Sequence, residues 1–150
     1  MQVTLAYGKT GAPVTLPDDG RTQVLEPRFA PALGDARAAI TEAVTHPIGC
    51  GGLHELARGK RSAAISVCDI TRPAPNKLVL PIVTAALEAG GIAPEHITIL
   101  IATGLHREAT DAELDEILGP EIRAKHPVYS HRAKELDEQA YLGDTKGGTP

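Results

Sequence analysis

A chain of 150 residues with ordinary apolar content suits a single globular domain, one able to bury about two-thirds of its unfolded surface. The net charge is −4, Lys and Arg are scattered, and the aromatic residues are one Phe and three Tyr. Both features argue against a nucleic-acid binder, which needs a basic footprint and often stacking rings. No apolar run approaches the roughly 20 residues that cross a bilayer, no basic start leads into an apolar stretch, and Cys50 and Cys68 make no disulfide framework, so a cytoplasmic protein without membrane or nucleic-acid partners is expected.

From the start of the chain, Val3 to Tyr7, Val14 to Leu16 and Thr22 to Leu25 are short alternating runs separated by turn residues. They predict a small antiparallel β region. Pro27 and Pro31 mark a linker. Asp35 to Thr45 predicts a helix with Asp35 as its cap and Leu33, Ala36, Ala39, Ile40, Ala43 and Val44 on its apolar face. A Gly-rich loop follows, then one or two helical turns over Leu53 to Arg58.

Ala63 to Cys68 has the character of a central parallel strand, apolar on both faces. Asn76 to Ala89 predicts a helix burying Leu78, Val79, Ile82, Ala85, Ala86 and Ala89. Pro81 inside it lacks an N–H and crowds a preceding carbonyl, so a late start or a kink is expected there. His96 to Ile101 is the second core strand. Thr110 to Leu118 predicts a helix with Thr110 and Glu113 in capping-box spacing. Gly119-Pro120 breaks it, and Val128 to Ser130 is a third strand. Strand–helix alternation predicts an α/β fold: a parallel-sheet, Rossmann-like domain with right-handed crossovers and the small N-terminal β region. The organisation read from the chain is residues 1–30 as β region, 31–142 as α/β core and 143–150 as a turn-rich end.

Two polar stretches sit where core strands end: Asp69-Ile70-Thr71-Arg72-Pro73-Ala74-Pro75 and Ala102-Thr103-Gly104-Leu105-His106-Arg107. Open α/β sheets bind ligands beyond the carboxyl ends of their strands. Asp69 either caps the loop after its strand, or holds a ligand hydroxyl or orients Arg72; the two readings weigh equally. Arg72 precedes Pro73, which favours an extended backbone, and Pro75 stiffens the same loop. A rigid loop that aims an arginine suits bidentate capture of a phosphate or carboxylate. Thr71 donates either to that anion or to the loop backbone. His106 follows a Thr-Gly turn and suits general acid–base work, since an unperturbed imidazole titrates near 6.5. His131 follows the third strand and reaches toward the same crevice, whereas structural roles are expected for His46, His54, His96 and His126. Neither a Walker A loop nor a GxGxxG after a strand is present, and no histidine pair has close metal-ligand spacing.

The pair DxTRPxP and ATGxHR, in this order and separation, resembles the nickel-dependent lactate racemase family. The resemblance extends to Tyr7-Gly8-Lys9, Pro47-Ile48-Gly49, Ile117-Leu118-Gly119 and the Gly-rich end, and so to essentially the whole chain. It implies a 2-hydroxy acid racemase or epimerase using a nickel-pincer nucleotide, a pyridinium mononucleotide that holds nickel. Hydride leaves the substrate's carbinol carbon and returns to either face, while a base takes the hydroxyl proton. By the motif match, His106 is one of two histidine acid/bases. Asp69, Ile70, Thr71 and Arg72 line the cofactor, with Arg72 near its phosphate or the substrate carboxylate. Family members are longer. Their lysine tether, nickel-ligating histidine and second catalytic histidine lie beyond the matched region, so the chain is expected to be an N-terminal portion, inactive alone, whose partner is a C-terminal domain of the same protein. The alternative is a stand-alone domain that binds a nucleotide or phosphorylated ligand without catalysis.

Overall fold

Residues 1–149 are described by a computed structural model. The first of two units, Met1–Ala32, holds a hairpin in which β1 (Gln2–Leu5) runs antiparallel to β2 (Ala12–Thr15), with Val3 opposite Val14. Pro13 is tolerated because a two-stranded ribbon leaves every strand an edge. The expected strand over Thr22–Leu25 does not form. Leu25 is 83% exposed and Val24 43%, so that run has no apolar face to bury and gains nothing from pairing.

The second unit, from Leu33, carries the sheet. Helix α1 (Ala36–Thr45) begins as expected, with the Asp35 carboxylate accepting the Ala38 N–H at 2.9 Å. Helix α2 (Leu53–Ala57) follows, and then β3 (Ala63–Cys68), α3 (Asn76–Ala89), β4 (Ile97–Ala102), α4 (Asp111–Leu118), α5 (Pro120–Lys125) and β5 (Val128–Ser130). The three strands are parallel in the order β3–β4–β5. The central strand is therefore β4, not β3. Its Ile97, Ile99 and Ile101 alternate onto one face and are wholly enclosed, whereas Ala64 and Ser66 of edge strand β3 are exposed.

Helix α3 has the expected bounds and runs through Pro81 unbroken. Its enclosed face is Leu80, Thr84 and Leu87, with Val83 partly covered; Ala85 and Ala89 of the expected set are exposed. The spacing i, i+3, i+4, i+7 explains the choice. Apolar residues cover more than one face of this helix; the enclosed one carries Leu80 and Leu87, while Leu78, Val79, Ile82 and Ala86 are partly covered. Thr84 is admitted there because its hydroxyl donates back to the Leu80 carbonyl at 3.0 Å.

The Thr110 cap and its Glu113 partner form the expected capping box on α4. Helix α5 is additional: Gly119, at φ +82°, turns the chain, and Pro120 opens a new helix rather than ending structure. Leu80, Leu118 and Ile122 meet Val67, Ile99 and Ile101 in one core cluster, and Ala57, Leu87, Ile92 and Ile97 form a second. The helices thus bury one face of the sheet and leave the strand ends to the loops.

Candidate functional site

Loops leaving adjacent parallel strands at the same end must lie side by side. Cys68 and Ala102, the last residues of β3 and β4, are register partners. This pairing brings the two polar motifs together although 37 residues separate Asp69 from His106. After β4, Gly104 adopts φ +58°, a left-handed conformation that side-chain-bearing residues disfavour. The resulting turn closes with the His106 N–H donating to the Thr103 carbonyl at 3.0 Å.

Asp69 is buried, and its two carboxylate oxygens have different partners. Oδ1 accepts the Thr71 hydroxyl at 2.6 Å and the Thr71 N–H at 3.2 Å. Oδ2 accepts from His106 Nδ1 at 2.6 Å. The hydrogen bond from His106, then that from the Thr71 hydroxyl, hold the Asp69 carboxyl below its ordinary range. With Nδ1–H fixed on a carboxylate, the neutral imidazole keeps its lone pair on Nε2. The His106 side chain is 56% exposed, so that nitrogen belongs to a ring open to the cleft.

These contacts revise two expectations. Asp69 does cap its loop, yet its second oxygen orients His106 rather than Arg72. The Thr71 hydroxyl donates to Asp69, and so neither to an anion nor to the loop backbone. Arg72 is exposed and its side chain has no hydrogen bond or ion pair among the described residues. With Thr71, Thr103, Gly104 and His106 it lines a cleft of about 350 Å³. Ile70 lines an adjoining cleft of about 310 Å³ with Asp69 and His106.

The other arginine in these motifs behaves differently. Arg107 makes a two-pronged pair with Glu113, at 2.8 and 2.7 Å. That guanidinium, joined by the Thr110 N–H, draws the Glu113 carboxyl down to about 2. Glu113 thereby ties the His106 turn to the start of α4, a contact absent from the motif reading.

His131 lines a third cleft, about 380 Å³, with His106, Gly104 and Lys134. Its Nε2 lies 3.3 Å from the Gln139 side-chain oxygen. His126 instead is a core residue, its Nδ1 donating to the Pro94 carbonyl at 3.1 Å. Among the described residues no three His, Cys, Asp or Glu side chains gather as a metal centre, and no helix is long and apolar enough to cross a membrane.

Residues 7–150 match the family described as the lactate racemase N-terminal domain. The chain belongs to this family. The chain is 34% identical over 110 residues to the lactate racemase of Lactiplantibacillus plantarum, a match covering 73% of this chain and 26% of that one. It is 26% identical over 152 residues to the lactate racemase of Thermoanaerobacterium thermosaccharolyticum, covering 97% of this chain and 34% of its relative. The solved structure of the lactate racemase apoprotein from the latter organism matches with a TM-score of 0.83 at 26% identity, over 99% of this chain and 34% of that chain. The chain therefore spans between a quarter and about a third of these relatives' lengths, and it is similar to their N-terminal portion in sequence and fold.

Proposed function

We propose that this chain forms the N-terminal part of a 2-hydroxy acid racemase or epimerase, with His106 as an acid/base and the Asp69–Arg72 loop facing cofactor and substrate. The observation that carries the reading is the Asp69–His106 hydrogen bond at the paired ends of β3 and β4. Inverting a carbinol centre requires the hydroxyl to lose its proton as the carbon–hydrogen bond breaks and to regain it afterwards. An imidazole held through Nδ1 by a carboxylate can take that proton on Nε2, and the buried anion then stabilises the imidazolium. The same nitrogen returns the proton in the reverse direction.

The residues fit the anionic part of a nickel-pincer nucleotide. Arg72 offers, beside an open cleft, a guanidinium with no partner among the described residues, the requirement for a phosphate or carboxylate. Asp69, Ile70 and Thr71 would form the wall next to it, with Thr71 acting by holding Asp69 in place. The chemistry supplied by the bound cofactor is acceptance of hydride from the carbinol carbon and its return to either face. We assign nickel ligation, the ring tether and the second histidine to a C-terminal part of the same polypeptide, because the relatives extend well beyond the matched region. A cytoplasmic location fits the two cysteines, Cys50 and Cys68, both free thiols.

The test is interconversion of L- and D-lactate by the full-length protein loaded with the nickel-pincer nucleotide. Equilibration from either enantiomer supports the reading. Activity on another 2-hydroxy acid alone changes the substrate. A loaded protein that binds the nucleotide and equilibrates no 2-hydroxy acid of a broad panel overturns it in favour of a binding domain.

A further inference from the structure

The site contains one buried polar side chain to which neither motif chemistry nor the proposed reaction gives a role. Thr103 is 2% exposed, yet it directly follows the last residue of β4, beside the cleft. Its hydroxyl donates to the carbonyl of His131, the first residue after β5. The His131 N–H in turn donates to the Ile101 carbonyl at 2.9 Å, and the Thr103 N–H approaches the same oxygen at 3.0 Å. The exits of β4 and β5 are thereby locked together through a short cycle of hydrogen bonds. The Thr103 carbonyl belongs to the same unit, accepting the His106 N–H at 3.0 Å.

We infer that Thr103 is a positioning residue for His106: its hydroxyl anchors the Thr103–His106 turn to the β5 exit, so that the His106 ring stays where Asp69 can hold Nδ1 and the cleft can reach Nε2. The inference rests on the acid/base reading of His106 and deepens it. The His106 side chain is more than half exposed, and among the described residues its only ring hydrogen bond is to the Asp69 carboxylate. A ring so held depends on its backbone for direction. That backbone passes through Gly104, where a Cβ would meet no neighbour and which imposes no side-chain packing restraint. The Thr103 hydroxyl supplies the restraint from the neighbouring strand. It also ties His131, which lines a cleft with His106, to the β4 exit. The β5 exit is thus part of the site's framework although it supplies no acid or base to the proposed reaction.

Thr103→Val keeps the branched shape and removes the donor; Thr103→Ser keeps the donor and removes the methyl. Two readouts apply to the full-length protein. The first is the imidazole tautomer of His106, read from nitrogen chemical shifts in ¹⁵N-histidine-labelled protein, assigned by comparison with His106→Ala. The second is lactate racemisation by the cofactor-loaded protein, split into kcat and KM. Thr103→Val is expected to lose the uniform Nδ1–H tautomer and to lower kcat about ten- to a hundred-fold with KM nearly unchanged, the signature of a misdirected rather than absent group. Thr103→Ser is expected to restore both. Wild-type tautomer and kcat in a folded Thr103→Val protein overturn the inference. If the valine variant does not fold, Thr103→Ala replaces it, and equal His106 signals in the serine and alanine variants overturn the inference. A tautomer change in Thr103→Val, with a wild-type protein that equilibrates no 2-hydroxy acid, leaves the positioning role standing and refutes the proposed reaction instead.

Discussion

Two of the acid–histidine pairs in this chain set a carboxylate against an imidazole and come to opposite ends. Asp69 Oδ2 and His106 Nδ1 meet at 2.6 Å with the imidazole 56% exposed, while Glu88 Oε1 and His126 Nε2 stand 3.8 Å apart with the imidazole fully enclosed. In the first pair the carboxylate takes one ring nitrogen and leaves the other to the cleft. In the second, the Pro94 carbonyl takes Nδ1, and Nε2 and Glu88 Oε1 are left buried without hydrogen bonds. Nδ1 is the engaged nitrogen in both rings; what separates them is the group that holds it and what Nε2 meets. The motif arginines repeat the contrast: Arg107 pairs with Glu113, and Arg72, beside the cleft, has no side-chain partner among the described residues.

Asp69→Asn breaks the contrast most sharply. Two donors from Thr71 compel an acceptor at the Oδ1 position, so the amide oxygen settles there and the NH₂ faces His106 Nδ1. The ring is then forced to carry its proton on Nε2 and loses its base. In the full-length, cofactor-loaded protein of the proposed function, a fall in kcat of about 10²-fold or more is expected with the unfolding midpoint little changed, measured by steady-state racemisation beside thermal melting. Arg72→Ala comes next. Losing a charge-assisted contact weakens anion binding about ten- to a hundred-fold, read by titration with the nucleotide, whereas Arg107→Ala is expected to leave that affinity within a few-fold and to loosen the α4 start.

His126→Ala moves the other side of the comparison. Removing an enclosed ring is expected to cost about 2–3 kcal/mol of stability in chemical denaturation, with kcat retained. The smallest effect is on acid stability. Glu113 and Asp69 both have folded-state values below their ordinary ones, with Glu113 at about 2 against 4.5. Their contribution is complete above the unfolded carboxylate range and is lost as pH falls through it toward 2. The melting temperature is expected to be flat near neutrality and to decline below about pH 4, and Glu113→Gln is expected to flatten that decline.

The sequence made much of this site legible, because short apolar runs bounded by turn residues locate strand ends. The bounds of β3, β5 and α3 and the Thr110–Glu113 box follow from residue pattern alone. Periodicity could not say that β4 rather than β3 is central, since strand order depends on where crossovers land. Nor could it choose among the apolar faces of α3, whose selection by Leu80 and Leu87 is a packing outcome. Asp69 shows the same limit within the site. Its place at a strand end was visible, but its partner lies in the loop after another strand, and only the β3–β4 register brings His106 to it. Thr103 looked like part of a turn, and its meaning appears only when β5 supplies the carbonyl.

The most direct test of the account is the rate at which cofactor-loaded, full-length His106→Ala interconverts L- and D-lactate, measured beside the wild type and with cofactor content quantified in both. The account expects an active wild type and a variant that loads cofactor normally but turns over about 10²- to 10⁴-fold more slowly. A folded, loaded variant that racemises lactate at the wild-type rate would contradict it.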